Sequence, residues 1–270
     1  MLESAPIWVT MATAGLALGG VVFTAFVGKR SQANQKRIDE VLAINKANAD
    51  RELARLNATL QADRDALTAQ REGAKIIAKF RNPLMHAAYD MQSRIFNILR
   101  LHFLQRYYSN GSAREQDYAV ENTVFLLAQF LGWTEIIRQE IQFLALDDDD
   151  QTKRLRQLQD GIYTQLQTDR FGEEFRLFAG EQRAVGELMI DRGTGTPRCL
   201  GFAAFLTSRN AAIDRWLDPL RDDVRQMAID VAPFQARLTA FQHSLIDLLQ
   251  FLDPEYIWFP RSSRDKICPS

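Results

Sequence analysis

The chain has 270 residues, longer than one typical domain and short for two. With 46% hydrophobic and 25% charged residues, 8 Pro and 14 Gly, it is neither collagenous nor of low complexity nor disordered throughout. A formal net charge of -1 gives no bulk field for nucleic acid, which is not among the expected partners. Cys199 and Cys268 offer no CxxC pair, so neither a zinc site nor a disulfide framework is indicated.

The first element is apolar. Ile7 to Gly28 contains no charged residue, with Glu3 before it and Lys29-Arg30 after it. As a helix this run spans roughly 33 Å, enough for a hydrocarbon core of about 30 Å. A cleaved signal would need a basic n-region and a shorter apolar core, which this sequence lacks. A single transmembrane helix over 7–28 is therefore expected, after a short extracytoplasmic N-terminus at 1–6. Lys29, Arg30, Lys36 and Arg37 follow the run and no basic residue precedes it. That bias sets the N-terminus outside and the remainder in the cytosol, and the same side chains can hold anionic headgroups. Gly15 and Gly19 form a GxxxG, extended by Gly20, a spacing that lets two helices pack closely in lipid.

Residues 29–80 read as a helical, coiled-coil-like stalk. Strong helix formers dominate, and Ile38, Leu42, Ala49, Leu53, Leu56, Leu60, Leu67, Ala74 and Ile77 recur at steps near 3 and 4. Asn45 and Asp63 fall on this stripe, and its phase slips between Leu53 and Leu60 as a stutter would make it. A lone helix with so thin a stripe has little to bury it, which predicts pairing between chains as a homo-oligomer, most simply a dimer.

A helical bundle is expected over 81–254. Asn82-Pro83 reads as an N-cap and N1 pair, so the stalk should stop there and a new helix run to about Tyr108. That helix has one stripe of Leu84, Met91, Ile95 and Ile98 and another of Tyr89, Phe96, Phe103 and Tyr107, which predicts cover from several sides. His102 continues the first stripe and reads as a core histidine. Further helices are expected over about 114–144, where Gly132 could introduce a kink, and over 151–167, where the Asp147–Asp150 run suits an N-terminus. Glu181 to Ile190 reads as a short helix, 192–198 as a loop or small hairpin. The remainder should be helical over 202–217, 219–231 and 233–252. The last carries Phe234, Leu238, Phe241, Leu245, Leu248 and Leu252 on one face, with His243 at its rim. The tail, 255–270, should dock Tyr256, Trp258 and Phe259 on the body. The whole is all-α, and no internal repeat is found.

Chemistry is sparse. No HExxH, cysteine cluster, GxSxG or P-loop is present, so no metal or cofactor is expected and no catalytic site is evident. Arg81-Asn82-Pro83-Leu84-Met85-His86 has the R-N-x3-H shape and resembles the active-site motif of HEPN-type ribonucleases, which are small helical bundles. The resemblance implies that Arg81 and His86, paired across a dimer, would act on an RNA phosphate and its 2′-hydroxyl. It covers six residues and opens the bundle, where the family's motif usually comes late. Arginine outnumbers lysine 26 to 7, a bias of GC-rich bacterial genomes, which would place the anchor in the cytoplasmic membrane.

The reading that joins these features is a membrane-anchored, homo-oligomeric interaction or adaptor protein, presenting its bundle to an unidentified cytosolic protein. The alternatives are a membrane-tethered ribonuclease using Arg81 and His86, and a membrane-perturbing effector assembled through the Gly15/Gly19 face.

Overall fold

In the computed structural model the described residues are 7–142, 150–191, 193 and 195–268, without the side chains of 7–27, 33, 69, 70, 72–74, 76, 77, 141 and 142. Contacts divide the chain into two units, Met1–Asp65 and Ala66–Ser270.

Helix α1 (Ile7–Leu101) supplies all the described structure of the first unit. Its polar faces carry pairs one turn apart, such as Gln35 with Asp39 and Gln61 with Asp65, that support an isolated helix. Every described side chain from Gly28 to Asp65 is exposed, Lys29, Arg30, Lys36 and Arg37 included. Ile38, Leu42, Leu53, Leu56 and Leu60 are 45–60% exposed, so among the described residues of this unit nothing covers the apolar stripe. Among the described residues no helix is long and apolar enough to cross a membrane. The backbone is helical from Ile7, but the side chains of the expected span, with Gly15, Gly19 and Gly20, fall outside the described residues. The structure therefore lends the transmembrane helix no support.

The second unit is an all-α bundle. Here α1 does not stop at Asn82-Pro83 but continues through Pro83 to Leu101. Proline removes the N–H that the carbonyl of Lys79 would accept, at a cost of about 3 kcal/mol in a helix interior. Burial of Leu84, Met85, Ala87, Ala88 and Met91 immediately beyond it offsets that loss and keeps the helix on course. Past Leu101 the chain turns: His102 has φ 52°, and a π-helical turn follows over Gln105–Ser109. His102 is consequently exposed and leaves the stripe that Leu84, Met91, Ile95 and Ile98 complete in the core. The second stripe is only partly covered, since Phe96 remains 37% exposed.

Helix α2 (Ala113–Gln142) crosses α4 (Ala179–Leu188) at very short range. A Cβ on Gly186 would lie 2.8 Å from the Leu131 carbonyl oxygen, and one on Gly132 would lie 2.7 Å from Cys199 Sγ and Met189 Cβ. Gly132 thus serves close approach, and α2 runs on without a break at it. Helix α3 is Asp150–Gln167, while Asp147 to Asp149 lie outside the described residues. A two-stranded hairpin, β1 (Ile190–Asp191) and β2 (Arg198–Cys199), pairs antiparallel with Ile190 opposite Cys199. The expected helix over 202–217 is divided into α5 (Phe202–Thr207) and α6 (Ala211–Ile229). Asn210 starts α6 by accepting from the N–H groups of Ala212 and Ile213. Pro219 lies inside α6, where burial of Leu217, Leu220, Val224 and Met227 holds one face to the core. Helix α7 (Ala232–Leu252) buries all six residues of its stripe, each worth roughly 1.5–3 kcal/mol.

Two buried arginines organise the bundle differently. Arg221 meets Glu121 through Nε at 2.9 Å and Nη2 at 3.1 Å, with Asp214 and Asp218 on Nη1. Arg237, on α7, donates to the backbone carbonyls of Gln165, Leu166, Thr168, Gly172 and Glu174. The first closes an ion cluster between α2 and α6; the second fixes the α3–α4 connection.

Candidate functional site

The tail is sewn to α1 and α7 mainly by polar side chains; of the three aromatic residues expected to dock, Phe259 packs on Tyr89, while Tyr256 and Trp258 stay 36% and 54% exposed. Asp253 accepts the N–H groups of Ile257, Trp258 and Phe259 and pairs with the buried Arg264. Burial raises the Asp253 carboxyl, but these donors outweigh it and hold the group below the usual carboxylate range. Arg264 also donates to the carbonyls of Leu249, Asp253 and Phe259. Buried Gln242 bridges the Asp265 carbonyl and the Ile267 N–H, and Gln92 reaches the Ser263 carbonyl. His243, half-buried at the rim of α7, meets the Ile267 carbonyl.

Arg81 faces the end of α7 and His86 faces this tail. Arg81 Nε donates to the Leu252 carbonyl at the end of α7, satisfying a group that a helix terminus leaves open. The His86 ring stands edge-on to Trp258 and Phe259, with centroids 5.8 and 5.1 Å away, and Phe259 stacks on Tyr89 at 3.7 Å. Asp90, one turn beyond His86, is pushed up by burial and drawn back by His86. Within one chain the two motif residues are thus held by different elements, Arg81 by the end of α7 and His86 by the tail. Ile257 and Trp258 keep 77% and 54% of their surface exposed beside them, an apolar spot on an otherwise fastened segment.

Sequence reasoning missed a second place. Between α2, α3 and α4 lies a cavity of about 530 Å3 whose lining includes Arg138, Arg156, Gln159, Tyr163 and Arg183. Helix geometry explains the grouping. Arg156, Gln159, Asp160 and Tyr163 lie at i, i+3, i+4 and i+7, a polar stripe flanking the apolar one of Leu155, Ile162 and Leu166. Thr134 and Arg138 on α2, and Ala179 and Arg183 on α4, are likewise one turn apart. That polar periodicity was readable in α3; the convergence of three helices on it was not.

The cavity is rich in donors. Arg138 is bidentate to the fully buried Glu135, at 2.7 and 2.6 Å, and Gln139 donates to the same carboxylate. Burial raises Glu135, but these bonds prevail and keep it ionised below its ordinary range. Arg156 and Arg183, by contrast, have no hydrogen bond or ion pair among the described residues. Gln159 is 6% exposed, and its Nε2 finds no acceptor among the described residues. The Tyr163 hydroxyl is also buried without a partner; burial first, then the Glu135 charge, pushes its pKa up, so it stays a donor. Asp160 is the one carboxylate of the lining.

A cleft of about 830 Å3 beside the π-helical turn is of another kind, lined by Leu101, Phe103, Arg106, Tyr107 and Tyr118. Arg94 lies 3.9 Å from the Phe103 ring centroid and donates to Asn122, so its charge is already placed. No group of His, Cys, Asp and Glu able to hold a metal ion occurs among the described residues. No protein-family model, curated protein or solved structure matches the chain.

Proposed function

We propose that the protein is a membrane-anchored, self-associating interaction protein that presents its helical bundle to a cytosolic protein partner. The observation that carries this reading is the row of exposed aliphatic side chains from Ile38 to Leu60, along the helix that is the first unit's described structure. A solitary helix in water is held only by its propensity, and an apolar row repeated along it gains by pairing with a second copy. Full burial of one Leu or Ile is worth roughly 1.5–3 kcal/mol, so a few of them suffice to hold a dimer. The anchor is supported by the uncharged run Ile7–Gly28 and by the basic residues that follow it. The partner-facing spot is Ile257 and Trp258, apolar and exposed on a segment whose backbone is tied down.

Light scattering of the full chain in mild detergent tests the association. The expected protein mass is twice the 30.9 kDa of one chain. Replacing Leu53, Leu56 and Leu60 together by Ser should reduce it to a single chain with the bundle's near-ultraviolet signal intact. A wild-type mass of one chain at every concentration overturns the self-association. Affinity purification from native membranes tests the rest: a stoichiometric protein lost on Trp258→Ala supports the adaptor role. Release of the full chain from membranes by alkaline carbonate would remove the anchor.

A further inference from the structure

We infer that the cavity between α2, α3 and α4 is a binding site for a phosphate group carried by a small molecule, held by Arg156, Arg183, Gln159 and Tyr163. This is independent of the association proposed above and uses none of its residues.

A buried amide N–H without an acceptor costs about 1–3 kcal/mol, and native proteins carry few such groups. Here two occur on neighbouring turns of one helix, Gln159 Nε2 and the Tyr163 hydroxyl, and both residues line the same cavity. Arg156 and Arg183 bring two further sets of donors from α3 and α4, with no carboxylate paired to either among the described residues. Arg138 adds a third guanidinium from α2, though Glu135 already holds it. Donors therefore reach the cavity from three helices, and the ligand they suit is an anionic acceptor with several oxygens.

Phosphate fits better than a lone carboxylate. A carboxylate is planar and is satisfied by one arginine fork, whereas a phosphate offers oxygens in a tetrahedral set to donors arriving from different sides. Asp160 on the lining and Glu135 behind Arg138 offset part of the charge of the three arginines, and the balance that remains is positive and favours an anion. The volume of about 530 Å3 exceeds what phosphate alone fills and lies within the range of small-molecule sites, so the group comes attached to a larger body. Thr164 and Gln167, on the same side of α3, line the space that body would take.

The test is isothermal titration calorimetry of the full chain in mild detergent, with pyrophosphate and ADP as probes and sodium chloride matched for ionic strength. The expected result is saturable binding that weakens about tenfold or more in Arg156→Gln and in Arg183→Gln, and vanishes in the double variant. Gln159→Leu supplies a signature that a general electrostatic effect lacks. It should weaken binding while leaving the unliganded protein as stable as before or more so, because it removes an unpaired buried donor. Heats equal to the chloride control, or equal affinity in wild type and the double variant, overturn the proposal. Soluble short-chain phosphatidic acid is the second arm. If it binds more tightly than either probe through the same arginines, the phosphate belongs to a lipid headgroup; if it does not compete, the source is a free metabolite.

Discussion

Asp223 shows how one side chain can support a fold and weaken it. Its carboxylate accepts the N–H of Phe175, a buried residue held at φ 52°, where side chains other than glycine are strained. Burial pushes the carboxyl from an ordinary 3.8 up to about 6. Below pH of about 3 the group is largely neutral whether the chain is folded or not. As pH rises from there to about 6, the unfolded chain ionises while the fold still holds the proton, so stability falls across that window and stays lower above it. Asp223→Asn keeps an oxygen for Phe175 and removes the charge. Thermal melts at pH 3 and 7 should show it more stable than wild type only at the higher pH; equal gains at both would contradict the account. Gly186 is a second such position. Gly186→Ala should lower the unfolding free energy by about 1–3 kcal/mol, because its new methyl meets the Leu131 carbonyl and cannot turn away; urea titration reads this directly.

At the scale of the element, Pro83 is the instructive case. Its place inside α1 means that a hydrogen bond is forgone in a helix held otherwise by burial. Pro83→Ala should therefore raise the unfolding free energy by about 1–3 kcal/mol, measured by the same titration. The helix start read from Asn82-Pro83 failed for this reason: local capping chemistry was present, but the packing of Leu84, Met85 and Met91 outweighed it. Pro219 repeats the lesson in α6. Where the pattern was long and apolar, as in α7, residue spacing alone identified the face that is buried. His102 departed from its stripe because the helix ends one residue before it, through a backbone turn that hydrophobic spacing does not encode. The cavity arginines were illegible for another reason. Each sits on an ordinary polar helix face, and only the crossing of α2, α3 and α4 makes the three faces one surface.

For the molecule as a whole, the core formed by the described residues runs from Phe80 to Ile267. The bundle should then be self-sufficient. A fragment of residues 66–270 is expected to unfold cooperatively, with a free energy within about 0.5 kcal/mol of the bundle transition in the full chain. A fragment that melts without a cooperative transition would show that the first unit contributes to the bundle's stability.

Arg237 gives this unit a property with no counterpart among its other buried charges. It gathers five carbonyl oxygens around a single positive centre, the task a calcium ion performs in many loops, but the cation here is part of the chain. No chelator can strip it, and it is present whenever α7 is seated. The segment it gathers joins α3 to α4, the helices that carry Arg156 and Arg183. The gap between those two arginines is therefore gauged from α7, on the far side of the connection, and a change that loosened α7 would be felt first as a change in what the cavity can grip.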